Sequence, residues 1–541
     1  MSTIFNKREM IKLKMKNSSK GVMILTFTNI CSKLLSLVYI PLLNHNIGDT
    51  GYGVYGSAYS IYTFVYMVTI AGASTAIPKL ISEYMETDHE RDAMASFKIG
   101  RITLVAMGLI MTILLFVLSK QAATFGGYES AYLAIIVLCP SIFLTALGSA
   151  YRGYFQGRSN LIPLGISQFI EQVLNVIFSV LFSFVLVKYS ITLGVAGGAA
   201  GTAIGALVSL IYLKYKFIKD QKIKRDKTKP RMHSDKYIFN YIIKFSIPLI
   251  ISTGCIYAGN NLLDLNFITT GLQKAGFSEA ANQSTYGYFN KYMQLINTPM
   301  ILISSLAISI LPLIARANVS GDRKNLQKSI QDLIKVGFLI GMPAAIGLSV
   351  LSTGVFTMIL GPHNTGGASI MKYGAYVFIF SSVYQLTNTM LNSLGKVKEG
   401  AINSLIGVAI KLICDYLLIP IVCINIYGVI IGLLISNIVT LILNVFVIEK
   451  HIGKRGLLLT SWQKPAISAI IMGIVVFCVD KIFLMFFSLF LWLYVANLIA
   501  LLISIYVGAL VYVQAMVRLK GVDQTLLNAV PRKFKKVLLL K

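Results

Sequence analysis

Apolar runs long enough to cross the hydrocarbon core of a bilayer, about 20 residues each, recur along this chain and are separated by short polar segments. About fourteen such spans are expected: 21–43, 52–78, 95–119, 129–151, 161–187, 194–217, 238–268, 284–314, 329–353, 369–393, 400–423, 427–448, 465–487 and 489–515. The last two are parted by almost no loop, Phe486–Leu491, and a tight turn at Ser488 is the expected division. Several spans hold proline inside or near their ends, among them Pro41, Pro78, Pro140, Pro248 and Pro343. A proline there kinks the helix and leaves a backbone group for the bundle to satisfy.

Charge then orients the spans. With the N-terminus placed in the cytoplasm, roughly 38 lysines and arginines fall on the inner side, against Lys120, Lys188 and Lys274 outside, an asymmetry of the kind that fixes topology. Both termini are therefore expected inside. The most basic segment, Lys214–Lys236, carries Lys222, Lys224, Arg225, Lys227, Lys229 and Arg231. It reads as a solvated linker with topogenic charge, or as an anchor on anionic lipid.

The second half of the chain repeats the first. Tyr52-Gly53 with Pro78 recurs as Tyr286-Gly287 with Pro312, and Phe97–Gly100 as Ile334–Gly337. Gly157-Arg158 recurs as Gly395-Lys396, and Gly194–Gly198 as Gly428–Gly432, all in one order and 234–238 residues apart. Six spans per repeat return the chain to the same side, so the copies should be related by an axis along the membrane normal, an architecture of transporters. The expected organisation is a basic tail at 1–20, an N-lobe at 21–217, a basic linker at 218–237 and a C-lobe at 238–448; two further helices at 465–515 and a basic tail at 516–541 complete it. The stripe Gly194, Gly197, Gly198, Gly201 and Gly205 suits close helix packing rather than a phosphate loop.

Composition agrees. Mean hydropathy is +0.72 and only 13% of residues are charged, against about 25% in soluble domains. The net charge of +28 would suit nucleic acid, but its confinement to segments between apolar spans assigns it to topology and lipid; no nucleic-acid partner is expected. The six cysteines lie in or at the ends of spans without a CxxC pair and read as small hydrophobes. The first twenty residues are basic and lack a cleavage site, so the first span is expected to insert directly.

Charges at bilayer depth are costly and normally face a cavity or a partner. The candidates are Lys33 in the first span, Glu171 in the fifth, Asp264 in the seventh, Lys291 in the eighth, and Lys411 with Asp415 on one face of the eleventh. Arg101, Lys244, Lys335 and Lys372 are near enough to span ends to snorkel. Lys33 and Lys291 belong to opposite halves and could form an anion site suited to a pyrophosphate or phosphodiester; the alternative is that each snorkels or meets a helix-end carbonyl. Lys411 and Asp415 read first as an intrahelical ion pair and, with Asp264, as a cation or proton site. His45 and His363 read as surface residues of outside loops. No HExxH, Ser-His-Asp spacing, clustered DxD or long loop supplies an enzyme active site, and no metal ligand set stands out.

The stretches Lys33–Pro41, Gly48–Tyr55 and Ala76–Tyr84, and most specifically Arg152-Gly153-Tyr154-Phe155-Gln156-Gly157-Arg158 with Ile166–Gln172, resemble the SpoVB/YtgP branch of polysaccharide transporters. That branch lies in the multidrug/oligosaccharidyl-lipid/polysaccharide exporter superfamily and is similar to the MurJ lipid II flippases. The resemblance covers most of the chain through about residue 450. It implies an all-α bundle of two six-helix lobes around a V-shaped cavity, with a lipid groove formed by two extra helices. It implies movement of an undecaprenyl-pyrophosphate-linked glycolipid, lipid II or a related cell-wall precursor, from the inner to the outer leaflet of the bacterial plasma membrane, and cell-wall synthesis enzymes as partners. It places Lys33 and Lys291 in regions matching the family's cationic cavity residues, and its signature on Arg152, Gly153, Gln156 and Gly157; Arg101 and Glu171 join the candidate substrate-binding residues as charges near or within spans. Both lysines stand where the better-studied flippases favour arginine, a point charge in place of a bidentate fork. Some of these flippases hold sodium among the seventh, eleventh and twelfth helices. Asp264 and Asp415 lie where two of its carboxylates would be expected, and Lys411 where a neutral ligand would be, so its ammonium is expected to replace the ion. No cofactor is expected, and the chain has no Walker motif. Drive is left to membrane potential, a sodium or proton gradient, or consumption of the product. Two rivals remain open: a multidrug cation antiporter of the same superfamily, favoured in the first half by Glu171, and a membrane transferase or scaffold without transport.

Overall fold

The computed structural model describes residues 2–221, 231–300, 303–304, 314, 317–318, 320, 322–361, 366–458 and 461–521, with backbone alone at 2–20, 22 and 221. Pro312, His363, the tail beyond 521 and linker residues Lys222 to Lys229 lie outside the described residues. Every extended element among the described residues is helical. Among the described residues, eleven segments are long and apolar enough to cross a membrane.

The chain opens with α1 (Ser2–Ile70), α2 (Ala73–Glu86), α3 (Glu90–Val117) and the short α4 (Ser119–Phe125). It continues through α5 (Tyr132–Gly157), α6 (Ile162–Leu186), α7 (Ile191–Gln221) and α8 (Asp235–Tyr257). A π-helical turn, Ala258–Leu263, joins α8 to α9 (Asp264–Lys274), and α10 (Glu279–Asn297) follows. Beyond lie α11 (Arg323–Val350), α12 (Ser352–Leu360), α13 (Ala368–Gly374), α14 (Val377–Ser393), α15 (Val397–Leu418), α16 (Tyr427–Ile452), α17 (Gln463–Ser488) and α18 (Leu493–Arg518).

The first expected span and most of the second form one element, α1, while the end of the second, from Ala73, falls in α2; α1 is bent at Gly48, whose φ of 68° and ψ of −178° lie in a region essentially restricted to glycine. The expected span 369–393 is broken between α13 and α14, and 284–314 lies partly outside the described residues. The turn between the last two spans falls directly after Ser488. The repeat is visible locally: α3 and α11 each run into a short helix opening at Ser119 and Ser352.

Two compact units result. The first runs to Thr269 and includes Glu279–Gly287; the second holds Thr270–Ser278 and the chain from Tyr288 onward. The first unit therefore continues past the basic linker, because α8 packs on α1, α2 and α3.

Each unit turns apolar residues outward. On α3, Ile102 and Val117 are each 65% exposed, whereas Gly100, Leu104 and Gly108 are buried. Such a surface belongs in lipid, where close packing rather than hydrophobic burial holds helices together. The glycine stripe performs that packing in the first unit. A methyl on Gly201 would lie 2.3 Å from Ser179 Oγ, and one on Gly205 2.5 Å from the Glu171 carbonyl oxygen, so α7 rests on α6 backbone to backbone. At one end of the unit, Ile77, Ile81, Phe97, Tyr154, Phe217 and Ile242 close a core among α2, α3, α5, α7 and α8.

Gly48→Ala is expected to cost about 1–3 kcal/mol through backbone strain alone, since no atom lies within 4 Å of the added methyl. Gly148→Ala, equally roomy and helical, is the control. Thermal unfolding in detergent should be lowered by the first substitution and not by the second.

Candidate functional site

In the first unit the motif of α5 and the acidic residue of α6 meet. Arg152 Nη2 donates to Glu171 Oε2 in a close ion pair. The same guanidinium reaches Ser209 Oγ of α7 at 3.1 Å and Ser167 Oγ of α6 at 3.4 Å. Side-chain exposures of 15% and 24% leave the pair partly within reach of solvent. One guanidinium thus ties three helices, which explains a motif that spacing alone left without a role. Gly153 and Gly157, one turn apart on α5, let α2 approach: methyl groups there would lie 3.1 Å from Ile77 Cγ2 and 2.7 Å from Ile81 Cβ. Gln156 points outward and is exposed.

Lys33 is exposed on α1. One turn on, Ser36 Oγ accepts from Gln172 Nε2 of α6 at 3.2 Å, next in sequence to Glu171. Arg101 is half-buried on α3, 5.4 Å above the Phe97 ring and 3.5 Å from Tyr151 OH. Asp264 is buried where the π-helical turn gives way to α9.

A tyrosine ladder in the same unit was not singled out from sequence. Tyr52, Tyr55, Tyr59, Tyr62 and Tyr66 follow one another on α1 with successive ring centroids 4.5–5.9 Å apart. Tyr39 OH lies 2.8 Å from Tyr55 OH and 3.2 Å from the Gly198 carbonyl, and Tyr59 bonds Thr202. The alternating spacing of three and four residues was the available signal.

The ends of the basic linker are also fixed. Asp220 on α7 binds Arg158 and accepts from Tyr154 OH at 2.7 Å. On the far side, buried Asp92 accepts from the backbone N–H of Met232 at 2.8 Å and of His233 at 3.3 Å, with Arg231 Nε 3.5 Å away. Arg231 is held above its ordinary pKa by the Asp235 carboxylate first and Asp92 second.

In the second unit, Lys411 Nζ and Asp415 Oδ2 are 3.1 Å apart on α15, both buried. The intrahelical reading of this pair is what the geometry shows. Gly432 of α16 lies over it, where a methyl would come 2.7 Å from Asp415 Oδ1. Lys291 on α10 is fully buried, 5.4 Å over the Tyr288 ring. A buried amide pair, Asn403 and Asn444 at 2.9 Å, joins α15 to α16. Among the described residues no cluster of three or more His, Cys, Asp or Glu side chains could hold a metal ion.

Compared with known proteins, residues 18–318 match the family described as polysaccharide biosynthesis protein. The chain belongs to that family. One relative spans nearly its whole length: the chain is 25% identical over 538 residues to the lipid II flippase MurJ of Bacillus subtilis (strain 168), covering 96% of this chain and 98% of that one. It is 24% identical to stage V sporulation protein B of the same organism, covering 72% and 76%. Among solved structures, the fold matches a lipid II flippase MurJ in an inward closed conformation with TM-score 0.67 at 18% identity, over 91% of this chain and 98% of that one. An inward-facing MATE-family multidrug transporter of the MOP superfamily matches at 0.65 and 16% identity, over 79% and 96%. The chain therefore shares the fold of these solved structures, and the α17–α18 hairpin lies beyond the family match.

Within this family member, Glu171 is compensated by Arg152. Removing one partner strands a charge at membrane depth, whereas removing both does not. Arg152→Met and Glu171→Leu should each lower stability by about 1–3 kcal/mol, less than for a fully buried pair because solvent partly reaches both groups. The double variant should lose less than the sum, with a coupling of about 0.5–3 kcal/mol. Unfolding of the four proteins in detergent measures it; additive losses would show that the two residues act separately.

Proposed function

We propose that this protein is a flippase carrying an undecaprenyl-pyrophosphate-linked cell-wall precursor, lipid II in the first instance, from the inner to the outer leaflet by alternating access. The observation that supports this most is the end-to-end match to a lipid II flippase. The charges at membrane depth agree with it. Lys33, exposed on α1, and Lys291, buried on α10, are each of the sign that a diphosphate requires, and the one acidic residue that favoured a cation antiporter, Glu171, is paired with Arg152. The α17–α18 hairpin, with Ile467, Ile470, Ile474 and Trp492 exposed, is the surface along which the polyprenyl tail remains in lipid. Orientation with both termini in the cytoplasm follows from the lysine and arginine distribution. In the cycle, the inward-open state admits sugar and diphosphate, the lysines compensate the charge, and reorientation of the lobes releases the headgroup outside. Membrane potential, an ion gradient or consumption of the product drives the cycle.

Appearance of lipid II in the outer leaflet of proteoliposomes tests the proposal. Lys291→Ala should lower the rate roughly tenfold or more, the loss expected when a charge-assisted contact worth about 1.5–3 kcal/mol is removed. Lys274→Ala, at an exposed position near the Tyr416 ring, should stay within about twofold. Equal rates at matched expression would remove Lys291 from the site. Export of an organic cation by vesicles that move no lipid-linked glycan would favour the antiporter.

A further inference from the structure

A neutral polar face runs along α14 in the second unit. Ser381, Gln385, Asn388 and Asn392 follow one another at intervals of four, three and four residues, the spacing that keeps side chains on one side of a helix. Tyr384 and Thr389 flank them. Asn392 is exposed and the other five are half-buried, whereas Val383, Leu386, Thr387, Met390 and Leu391 on the opposite side are buried. Lipid does not account for this face. The neighbouring α15 turns Ile402 and Ile413 outward, 55% and 59% exposed, but no large apolar side chain of α14 is exposed. Amides and hydroxyls at membrane depth belong against protein or a water-filled cavity.

Helix packing uses only part of the face. Ser381 Oγ accepts from Asn437 Nδ2 of α16 at 2.7 Å, Tyr384 OH and Ser404 Oγ of α15 are 3.2 Å apart, and Gln385 Nε2 donates to Ser304 Oγ at 2.8 Å. On the buried side Asn444 Nδ2 donates to Thr387 Oγ1 at 3.3 Å. These bonds fix the rotation of α14 and hence the direction of its polar face. The side-chain amides of Asn388 and Asn392 form no hydrogen bond among the described residues. Each offers one acceptor and two donors. The helix contains no Asp, Glu, Lys, Arg or His, so it has nothing to compensate a diphosphate. Its amides instead match the hydroxyl and acetamido groups of a sugar.

We propose that the Gln385–Asn388–Asn392 face of α14 binds the carbohydrate of the lipid-linked glycan and leaves the diphosphate to other residues. This rests on the flippase reading above. By the charge-based orientation Asn392 stands at the cytoplasmic end of α14, so the face begins where the headgroup enters. In a background with the six cysteines replaced, Thr389→Cys should react with a small hydrophilic maleimide at least about tenfold faster than Ile406→Cys, because the thiolate needs water. Lipid II should slow the reaction at position 389 about tenfold by occupancy. Undecaprenyl-pyrophosphate-linked N-acetylglucosamine, which has sugar but no peptide, should protect as well, and undecaprenyl pyrophosphate should not. Adding Asn388→Ala/Asn392→Ala should remove the protection and lower lipid II transport about tenfold, the loss expected from two neutral hydrogen bonds. Thermal unfolding in detergent should not change, since neither amide bonds the protein. An unreactive position 389, equal protection by the sugar-free lipid, or wild-type protection and transport in the double variant overturns the proposal. Failure of the flippase reading is distinct: lipid II would protect position 389 in protein that moves none.

Discussion

In a bilayer a helix gains little by exchanging lipid for another helix's leucines, so cohesion depends on how closely backbones can approach. That constraint organises this molecule. At several places where a polar side chain lies between helices, a glycine makes the approach. Gly205 lies against the carbonyl of Glu171, Gly201 against Ser179, and Gly432 against Asp415. The consequence is the same in both repeats: the helix before the glycine-rich one carries a polar i,i+4 pair under that stripe. In the first it is Asn175 and Ser179, 3.0 Å apart; in the second it is Lys411 and Asp415, 3.1 Å apart. One scaffold thus holds a neutral pair in one copy and an ionic pair in the other. Duplication kept the packing and let the chemistry diverge.

Polar groups follow the same logic. With little water at membrane depth, most find a partner inside the bundle. The Arg152 guanidinium satisfies this by collecting Glu171, Ser167 and Ser209 from two neighbouring helices. Asn403, Asn444 and Thr387 do so among α14, α15 and α16. Such networks fix the relative rotation of helices whose apolar faces would otherwise slide, so the same bonds give rigidity within a unit.

Spans, the duplicated glycine stripe and the Lys411–Asp415 pair could be read from the sequence because each is local. A run of apolar residues, a four-residue interval and a recurring dipeptide all sit in one window. Arg152–Glu171 is different. The residues are nineteen positions apart on separate helices, and nothing in either window announces the partner. Glu171 taken alone therefore looked like a cation ligand, and Arg152 like a mere signature. The anchoring of Met232 and His233 by Asp92 was hidden for the same reason, 140 residues away.

The pairing of Glu171 bears on the choice between cation and anion chemistry. A carboxylate that carries a cation must release one partner to take another. Glu171 faces a guanidinium, which keeps its proton throughout the accessible pH range and is bound by two further oxygens. A substrate cation would have to displace a permanent charge and leave Arg152 uncompensated beside it, at a cost of several kcal/mol. An incoming diphosphate faces no such exchange at an exposed lysine such as Lys33. Its charge is attracted without breaking an internal pair. The geometry of one ion pair therefore weighs against cation export in a fold that, at this level of similarity, accommodates either trade.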